Sequence, residues 1–235
     1  MVGARITLPQ LQAVLAGYVD TAGFLALQGL FTAHVTGNFV TLAASLIHGS
    51  TGVVAKLLAL PVFCAVILAT RLVSFQLPKL GLPILPTMLA LETGLLALAA
   101  ALAIWFGPFR DSDAWTALAT GMALVSAMAI QNAAHRIHYS ASPPTTLMTG
   151  TTTQIMIDLA DLLRPISAEA RAEAKSRLRR MTPSAVAFAF GCAAGAVLFA
   201  FAGMWCFVLP PILALISVTP PMLRSVSPPA SGRSA

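Results

Sequence analysis

The chain has 235 residues, of which 57% are hydrophobic and only 9% are charged, and its mean hydropathy is +0.84. Soluble domains carry about 25% charged residues, and a chain this apolar cannot cover a globule with polar surface. The composition therefore excludes a soluble globular domain. It predicts an integral membrane protein whose solvent is the lipid bilayer.

The formal net charge of +6 is concentrated in one segment. Between Arg164 and Arg180, six basic residues stand against two acidic ones, a surplus of four positive charges. A basic loop between apolar runs indicates a cytoplasmic face and anionic headgroups rather than nucleic acid. Cys64, Cys192 and Cys206 lie in apolar runs without a CxxC spacing, so neither a disulfide nor a zinc site is predicted.

Apolar stretches separated by short polar breaks predict the spans. The first runs from residue 11 to residue 47, which at 1.5 Å per residue would cover roughly 55 Å against a hydrocarbon core of about 30 Å. It must therefore break, and the polar turn at residues 34–38 marks the place. We interpret the beginning of this apolar run as a retained first span and not as a cleaved signal peptide. The next spans are predicted at 53–75 and 85–106.

In the second half, a span is predicted at 115–137, followed by a turn-prone stretch and a short helix that ends near residue 163. Residues 165–182 form the basic cytoplasmic loop, which we predict to be an interfacial helix facing headgroups. Two further spans are predicted at 184–202 and 204–218, the last one short and interrupted by two prolines. The Pro- and Ser-rich tail, 219–235, is predicted to be disordered.

The two halves resemble each other. Residues 25–28 match 128–131 in pattern, and residues 35–38 match 148–151. We therefore predict two membrane repeats, 1–108 and 109–218. Three spans in each half force the second half to enter upside down, which is the inverted repeat of many secondary transporters. Chance similarity between apolar helices is the alternative. The fold class is all-α integral membrane with about six spans, both termini cytoplasmic, and a broken helix at a Thr-Gly turn in each half.

Two motifs make the sequence recognisable. Residues 17–20, 23–25 and 34–38 resemble the first signature of the YoaK-like family of bacterial membrane proteins, domain of unknown function 1275. Residues 131–133 and 149–151 are similar to its second signature. The resemblance covers nearly the whole chain except the tail. It implies a multi-pass protein of the bacterial inner membrane with no established activity.

The two Thr-Gly turns are the first candidates for a binding site. Glycine permits the backbone to leave the helix, and Thr or Asn can cap the helix that restarts. A restarted helix points free N–H groups and a positive dipole end at the break. Two such breaks would form a polar pocket near the midplane, although small residues can also serve only helix packing. The candidate solute-binding residues are Thr36, Gly37, Asn38, Thr149, Gly150 and Thr151, with Gln28 and Gln131 as equivalent positions in the repeat.

Three ionisable residues are candidates for proton coupling. Asp20 and Glu92 lie inside apolar runs, where a charge costs at least about 2.5 kcal/mol. His34 precedes the first Thr-Gly turn. The alternatives are that either carboxyl is neutral or paired with Arg71, and that His34 makes a structural hydrogen bond.

The other polar residues are weaker candidates for a functional site. His135 and His138 have a metal-like spacing but lack a third ligand in the sequence, so no metal is predicted. We place both, together with Arg136 near the end of the same apolar run, at headgroup level. For Asp158 and Asp161 we predict an interfacial ion pair. No ATP, dinucleotide or hydrolase motif is present in the sequence, so neither a cofactor nor catalytic residues are predicted.

These features predict a small secondary transporter or channel-like permease for a small polar or anionic solute. The alternatives are a membrane-embedded enzyme that acts on a lipid or quinone through His34, Asp20 and Glu92, and a non-catalytic membrane scaffold. Half-size inverted-repeat proteins often need a partner to enclose a path, so a homodimer is a further prediction.

Overall fold

The computed structural model describes residues 6–146 and 148–226, and every regular element in these two stretches is helical. The helices in chain order are α1 (Leu8–Ala26), α2 (Asn38–His48), α3 (Val53–Ser74), α4 (Ile84–Phe106), α5 (Trp115–His138), α6 (Met148–Leu162), α7 (Ala168–Ala202), α8 (Leu209–Ser217) and α9 (Pro220–Arg224). Short 3-10 turns precede α2 at Val35–Gly37 and α8 at Gly203–Val208.

Four helical stretches of the described chain are long and apolar enough to cross a membrane. They are Val53–Ser74, Ile84–Phe106, Trp115–His138 and Ala168–Ser217. Large apolar side chains on their outer faces are open to the surroundings, among them Leu68 at 62% and Phe201 at 88% exposure. Such faces suit hydrocarbon and not water, so the fold is that of a helical membrane protein, as the composition predicted.

The helices pack in a small number of pairs. The most extensive contact is between α1 and α7, and α5 packs against both α3 and α4. In addition, α8 packs against α1 and α4, α2 against α3, and α6 against α7. Of the four long apolar stretches, α5 is the most enclosed by other helices, because most of its apolar window is buried inside the protein. The core thus forms around α1 and α5, while α3 and α7 present broad faces to lipid.

Both described ends of the chain lie at the same end of the helix bundle. The backbone N–H of Leu8 donates to Oγ of Ser225 at 2.9 Å, and Leu8 also shares an apolar cluster with Tyr139. At the opposite end, the Asp113 carboxylate accepts the N–H groups of Gly52 and Val53 at 3.0 and 3.1 Å. Asp113, which precedes α5, therefore caps the start of α3.

Glycines allow α1 and α7 to cross in close contact. A Cβ atom at Gly17 would lie 2.2 Å from the carbonyl oxygen of Phe188, and one at Gly191 would lie 2.1 Å from that of Val14. Neither backbone can move away without separating the helices. Small residues at such crossings let membrane helices approach and gain dispersion contacts.

Replacing Gly191 by valine should therefore destabilise the protein, because the added side chain meets backbone rather than a flexible group. Overpacking of this kind costs about 1–3 kcal/mol or more. The free energy of unfolding in mixed micelles measures it. Gly94→Ala is the matched control, since a Cβ at Gly94 meets nothing within 4 Å. Equal stability of the two variants would contradict a tight crossing.

The second half and the tail differ from prediction in three places. The basic segment and the fifth span form one continuous helix, α7, with Pro183 inside it. The two prolines predicted to interrupt the last span lie in the first turn of α8. A helix tolerates proline there because its first N–H groups have no intrahelical partner. Of the predicted disordered tail, Pro220–Arg224 form α9, and residues from 227 onward lie outside the described chain.

Candidate functional site

Asp20 holds the α1–α2 connection (residues 27–37) against α1. Its Oδ1 atom accepts the backbone N–H groups of Thr32 at 2.7 Å and Ala33 at 2.8 Å. Its Oδ2 atom lies 2.7 Å from Nδ1 of His34. The side chain of Asp20 is only 6% exposed, so backbone donors and one imidazole satisfy an interior carboxylate. The connection therefore folds back along α1, and α2 begins beside α1 rather than beyond its end.

Asn38 and Gly37 shape the start of α2. The amide of Asn38 accepts the N–H of Phe31 at 2.9 Å and donates to the carbonyl oxygen of Phe31 at 2.8 Å. A Cβ at Gly37 would lie 2.9 Å from the Phe31 ring. The amide of Asn38 is thus committed to the connection itself, and Gly37 is small because an aromatic ring packs on its backbone.

The α5–α6 connection (residues 139–146 of the described chain) is held in a similar way. Oγ1 of Thr146 donates to Oδ1 of Asn132 at 2.8 Å, and the two residues are 14 positions apart, as are His34 and Asp20. The connection therefore returns to the body of α5, where an amide oxygen accepts the hydrogen bond.

A cavity of about 360 Å³ lies between the two connections. We call it the arginine cavity. It is lined by Ala33, His34, Val35 and Thr36 of the first connection, Leu60, Phe63, Ile67 and Arg71 of α3, Asn132, Ala133, Arg136 and Ile137 of α5, and Thr146. Among the described residues, neither arginine forms an ion pair with a carboxylate. Arg71 lies 4.2 Å from the ring centre of Phe75. The cavity thus combines an apolar wall with two positive charges and four other polar side chains.

His34 also lines two further cavities. One, of about 490 Å³, is lined by His34 together with Thr149, Gly150, Thr151 and Gln154. The other, of about 550 Å³, is lined by Asp20, His34, Thr36 and Gly37 with Phe188 of α7 and further side chains. The structure thus places both predicted Thr-Gly turns around one imidazole. A Cβ at Gly150 would meet nothing within 4 Å, so its backbone faces open space.

Gln28 and Gln131 lie in different surroundings. Gln28 is exposed beyond α1, where its side chain donates to the carbonyl oxygen of Arg110 at 2.8 Å and bonds to Thr51. Gln131 is fully buried in α5 and donates to the carbonyl oxygen of Gln12 at 2.8 Å. Neither borders a cavity described above, so the structure does not bring them together with the Thr-Gly turns.

Glu92 is separate from Asp20 and His34. It is fully buried in α4 and accepts a hydrogen bond from Nε2 of Gln12 at 3.1 Å. Gln12 precedes Asp20 by about two turns of α1, or roughly 12 Å along the helix axis. Arg71, which we considered as a partner for either carboxyl, bonds to neither in the described chain.

The remaining predicted polar residues have structural contacts. Asp158 of α6 is fully buried and pairs with Arg177 of α7 at 2.7 Å, which joins the two helices. Asp161, for which we also predicted an interfacial ion pair, makes none in the described chain. Nε2 of His135 lies 3.1 Å from the carbonyl oxygen of Ser142. The described chain contains no group of three His, Cys, Asp or Glu side chains able to hold a metal.

Sequence reasoning missed four polar residues of the arginine cavity as site residues: Arg71, Asn132, Arg136 and Thr146. We predicted headgroup contact for Arg136 because it ends an apolar run. One signal was available, since Asn132 and Thr146 repeat the spacing of Asp20 and His34. The two arginines meet only through tertiary packing of α3 on α5, which no local pattern reveals.

An all-helical chain with apolar outer faces and an interior polar cavity defines a helical membrane protein. Comparison with known families gives the particular group. Residues 9–219 match the model of DUF1275, a family described as proteins of unknown function, and the chain belongs to that family. This confirms the family resemblance of the two sequence motifs. No curated protein and no solved structure matches the chain.

Proposed function

We propose that this protein is a small secondary transporter or channel-like permease that binds a small anionic solute in the arginine cavity. The observation that carries the proposal is the position of that cavity. It lies between the α1–α2 and α5–α6 connections and contains two arginines without a carboxylate partner in the described chain. A cavity of about 360 Å³ falls in the usual size range of small-molecule sites, roughly 300–1,000 Å³.

The pairing of helices supports an inverted repeat of three plus three spans. We treat α1 and α5, α2 and α6, α3 and α7, and α4 and α8 as equivalent helices of the two halves. When each helix is exchanged for its equivalent, each main contact becomes another observed contact. The α1–α7 contact becomes α5–α3, α4–α5 becomes α8–α1, and α2–α3 becomes α6–α7. Transporters with such repeats bind their solute near the midplane, between discontinuous helices.

Helix ends supply the second attraction for an anion. In this arrangement α2 (11 residues) and α6 (15 residues) are the restarted halves of broken helices. Both begin next to cavities that share His34. The N-terminus of a helix carries free N–H groups and about half a positive charge. Together with two guanidinium groups, these ends favour a carboxylate or an inorganic anion over a cation.

The orientation follows from charge. The basic first half of α7 marks the cytoplasmic side. Leu8 and Ser225 then lie on that side as well, since α1 and α7 pack together and run in the same direction in the repeat. Arg71 and Arg136, close to the ends of α3 and α5, also fall there. We therefore propose a multi-pass protein of the bacterial inner membrane with both termini in the cytoplasm; a homodimer stays a prediction.

The separation of Glu92 from Asp20 and His34 argues against the predicted catalytic group. An enzyme acting through all three would need them in one cleft open to lipid. Glu92 instead bonds to Gln12 and borders none of the cavities described above. A transporter has no such requirement, because coupling and solute sites can be apart.

Uptake into proteoliposomes tests the proposal. The purified protein is reconstituted and offered chloride, nitrate, formate, acetate, phosphate, sulfate and glycine, with potassium and valinomycin setting the voltage. We expect at least one anion to enter about tenfold faster than into protein-free vesicles. If no solute moves faster than through protein-free vesicles, transport is contradicted and the enzyme or scaffold alternatives take its place.

A further inference from the structure

Four buried polar side chains form a cluster that the proposed solute site does not use. They come from three helices and the turn after α5: Gln12, Glu92, Gln131 and Tyr139 are each at most 4% exposed. Nε2 of Gln12 donates to Oε2 of Glu92 at 3.1 Å. Nε2 of Gln131 donates to the carbonyl oxygen of Gln12 at 2.8 Å. The cluster therefore ties α1, α4 and α5 together in the core of the bundle.

The cluster is short of hydrogen-bond donors. Three buried acceptor oxygens of the cluster have no donor among the described residues, namely Oε1 of Gln12, Oε1 of Glu92 and Oε1 of Gln131. One hydroxyl, that of Tyr139, has no acceptor in the same part of the chain. Buried polar groups are normally paired. A proton on Glu92 adds a donor where donors are lacking.

The lack of a paired cation in the described chain also favours a proton on Glu92. No arginine, lysine or histidine of the described chain pairs with Glu92, and an uncompensated interior carboxylate is strongly unfavourable. Of the elements packed on α4, α5 carries His135, Arg136 and His138 in its last turn and is followed by Tyr139. None of the three basic side chains pairs with Glu92. The helix α8 contains no titratable side chain, and the turn before it contributes only Cys206. A proton removes the charge without needing the space of a cation.

A chain of hydrogen bonds connects this cluster to the arginine cavity. Besides bonding to Gln12, Nε2 of Gln131 donates to Oγ1 of Thr145 at 3.1 Å. The next residue, Thr146, lines the cavity and donates to Asn132 beside it. A movement of the α5–α6 connection when an anion binds would therefore reach Gln131, and through Gln12 it would reach Glu92.

We propose that Glu92 binds the proton that is transported together with the anion. The inference rests on the proposed function. In each cycle a proton from one aqueous side joins a carboxylate oxygen of Glu92, and the same proton leaves to the other side after the protein has changed its orientation. The anion and the proton travel in the same direction, so an inward proton gradient accumulates the anion.

Infrared spectroscopy of the reconstituted protein tests protonation without a known solute. We expect a carboxylic acid C=O band from a buried group at neutral pH that is present in the wild type and in Glu169→Gln, an exposed control, and absent in Glu92→Gln. Glutamine keeps the volume and the oxygen that accepts from Gln12, so the variant should fold. If the wild type lacks the band at neutral pH, Glu92 is ionised and the proposal is wrong. If sodium removes the band, the proposal is also wrong, and a metal cation is the bound ion.

Flux then tests coupling with whichever anion of the panel is transported. An inward proton gradient should raise accumulation in the wild type about tenfold, and Glu92→Gln should lose this increase while it retains exchange of labelled for unlabelled anion. Accumulation that ignores the proton gradient, or a Glu92→Gln variant that still responds to it, would overturn proton coupling through Glu92. Failure of all transport in the wild type would instead contradict the proposed function, and the infrared result would stand separately.

Discussion

Replacing Asp20 by alanine should be the most destabilising single change in the α1–α2 connection. Two backbone N–H groups, of Thr32 and Ala33, lose the oxygen that accepts them at 2.7 and 2.8 Å. Each buried donor left without a partner costs about 1–3 kcal/mol, so the free energy of unfolding should fall by roughly 2–6 kcal/mol. Unfolding in mixed micelles measures the change.

A conservative variant separates the contacts of this carboxyl. In Asp20→Asn the remaining oxygen can still accept the two N–H groups, and only the contact with His34 changes. We therefore expect it to lose about 1 kcal/mol, much less than alanine. Asn132 holds the second connection by a different contact, since its amide oxygen accepts the side-chain hydroxyl of Thr146 and not backbone N–H groups.

Asp161→Ala provides a matched control, because Asp161 lies on α6 and makes no ion pair within the described chain. Surface changes of this kind stay within about 0.5 kcal/mol. Equal losses in Asp20→Ala and Asp161→Ala would show that Asp20 does not hold the connection in place.

The long helices were predictable because their signals are local. α3, α4 and α5 begin and end within one residue of the predicted spans, since an apolar run meets glycine, proline or a charge at each end. Gly107 and Pro108, for example, mark the end of α4 at Phe106. Chain-local signals of this kind need no knowledge of the partner helix.

The α1–α2 connection was predictable only in part. The polar turn at 34–38 correctly marked where α2 begins, but not that α1 ends as early as Ala26. The return of the chain depends on the bonds from Asp20 to residues 12 and 13 positions away. Such bonds form only after the loop closes, and neither the residue types nor their order specify that closure.

The candidate site, like the α1–α2 connection, was predictable only in part. The Thr-Gly turns were found because glycine and threonine have local meanings at helix starts. Arg71 and Arg136 are 65 positions apart in sequence, and the packing of α3 on α5 places both on one cavity. Charge count alone could not distinguish arginines that face a cavity from arginines that face headgroups.

Replacing both Arg71 and Arg136 by glutamine should produce the largest loss of transport. A hydrogen bond to a charged partner contributes about 1.5–3 kcal/mol, and 1.4 kcal/mol corresponds to a factor of ten in affinity. Both side chains are exposed at the mouth of the cavity, where water weakens the attraction, so we use the lower value for each. Each single variant should raise KM for the anion about tenfold, and the double variant about a hundredfold.

Uptake of the transported anion as a function of its concentration measures this change, and Arg179→Gln is the matched control. Arg179 is a basic residue in the first half of α7 that lines none of the cavities described above. Arginines that only contact lipid headgroups would behave alike in all three positions. If Arg71 and Arg136 form the anion site, their glutamine variants must raise the KM for the anion, and Arg179→Gln must leave it unchanged. Lysine at either position should restore part of the affinity, because it retains the charge but not the two-pronged geometry of the guanidinium group.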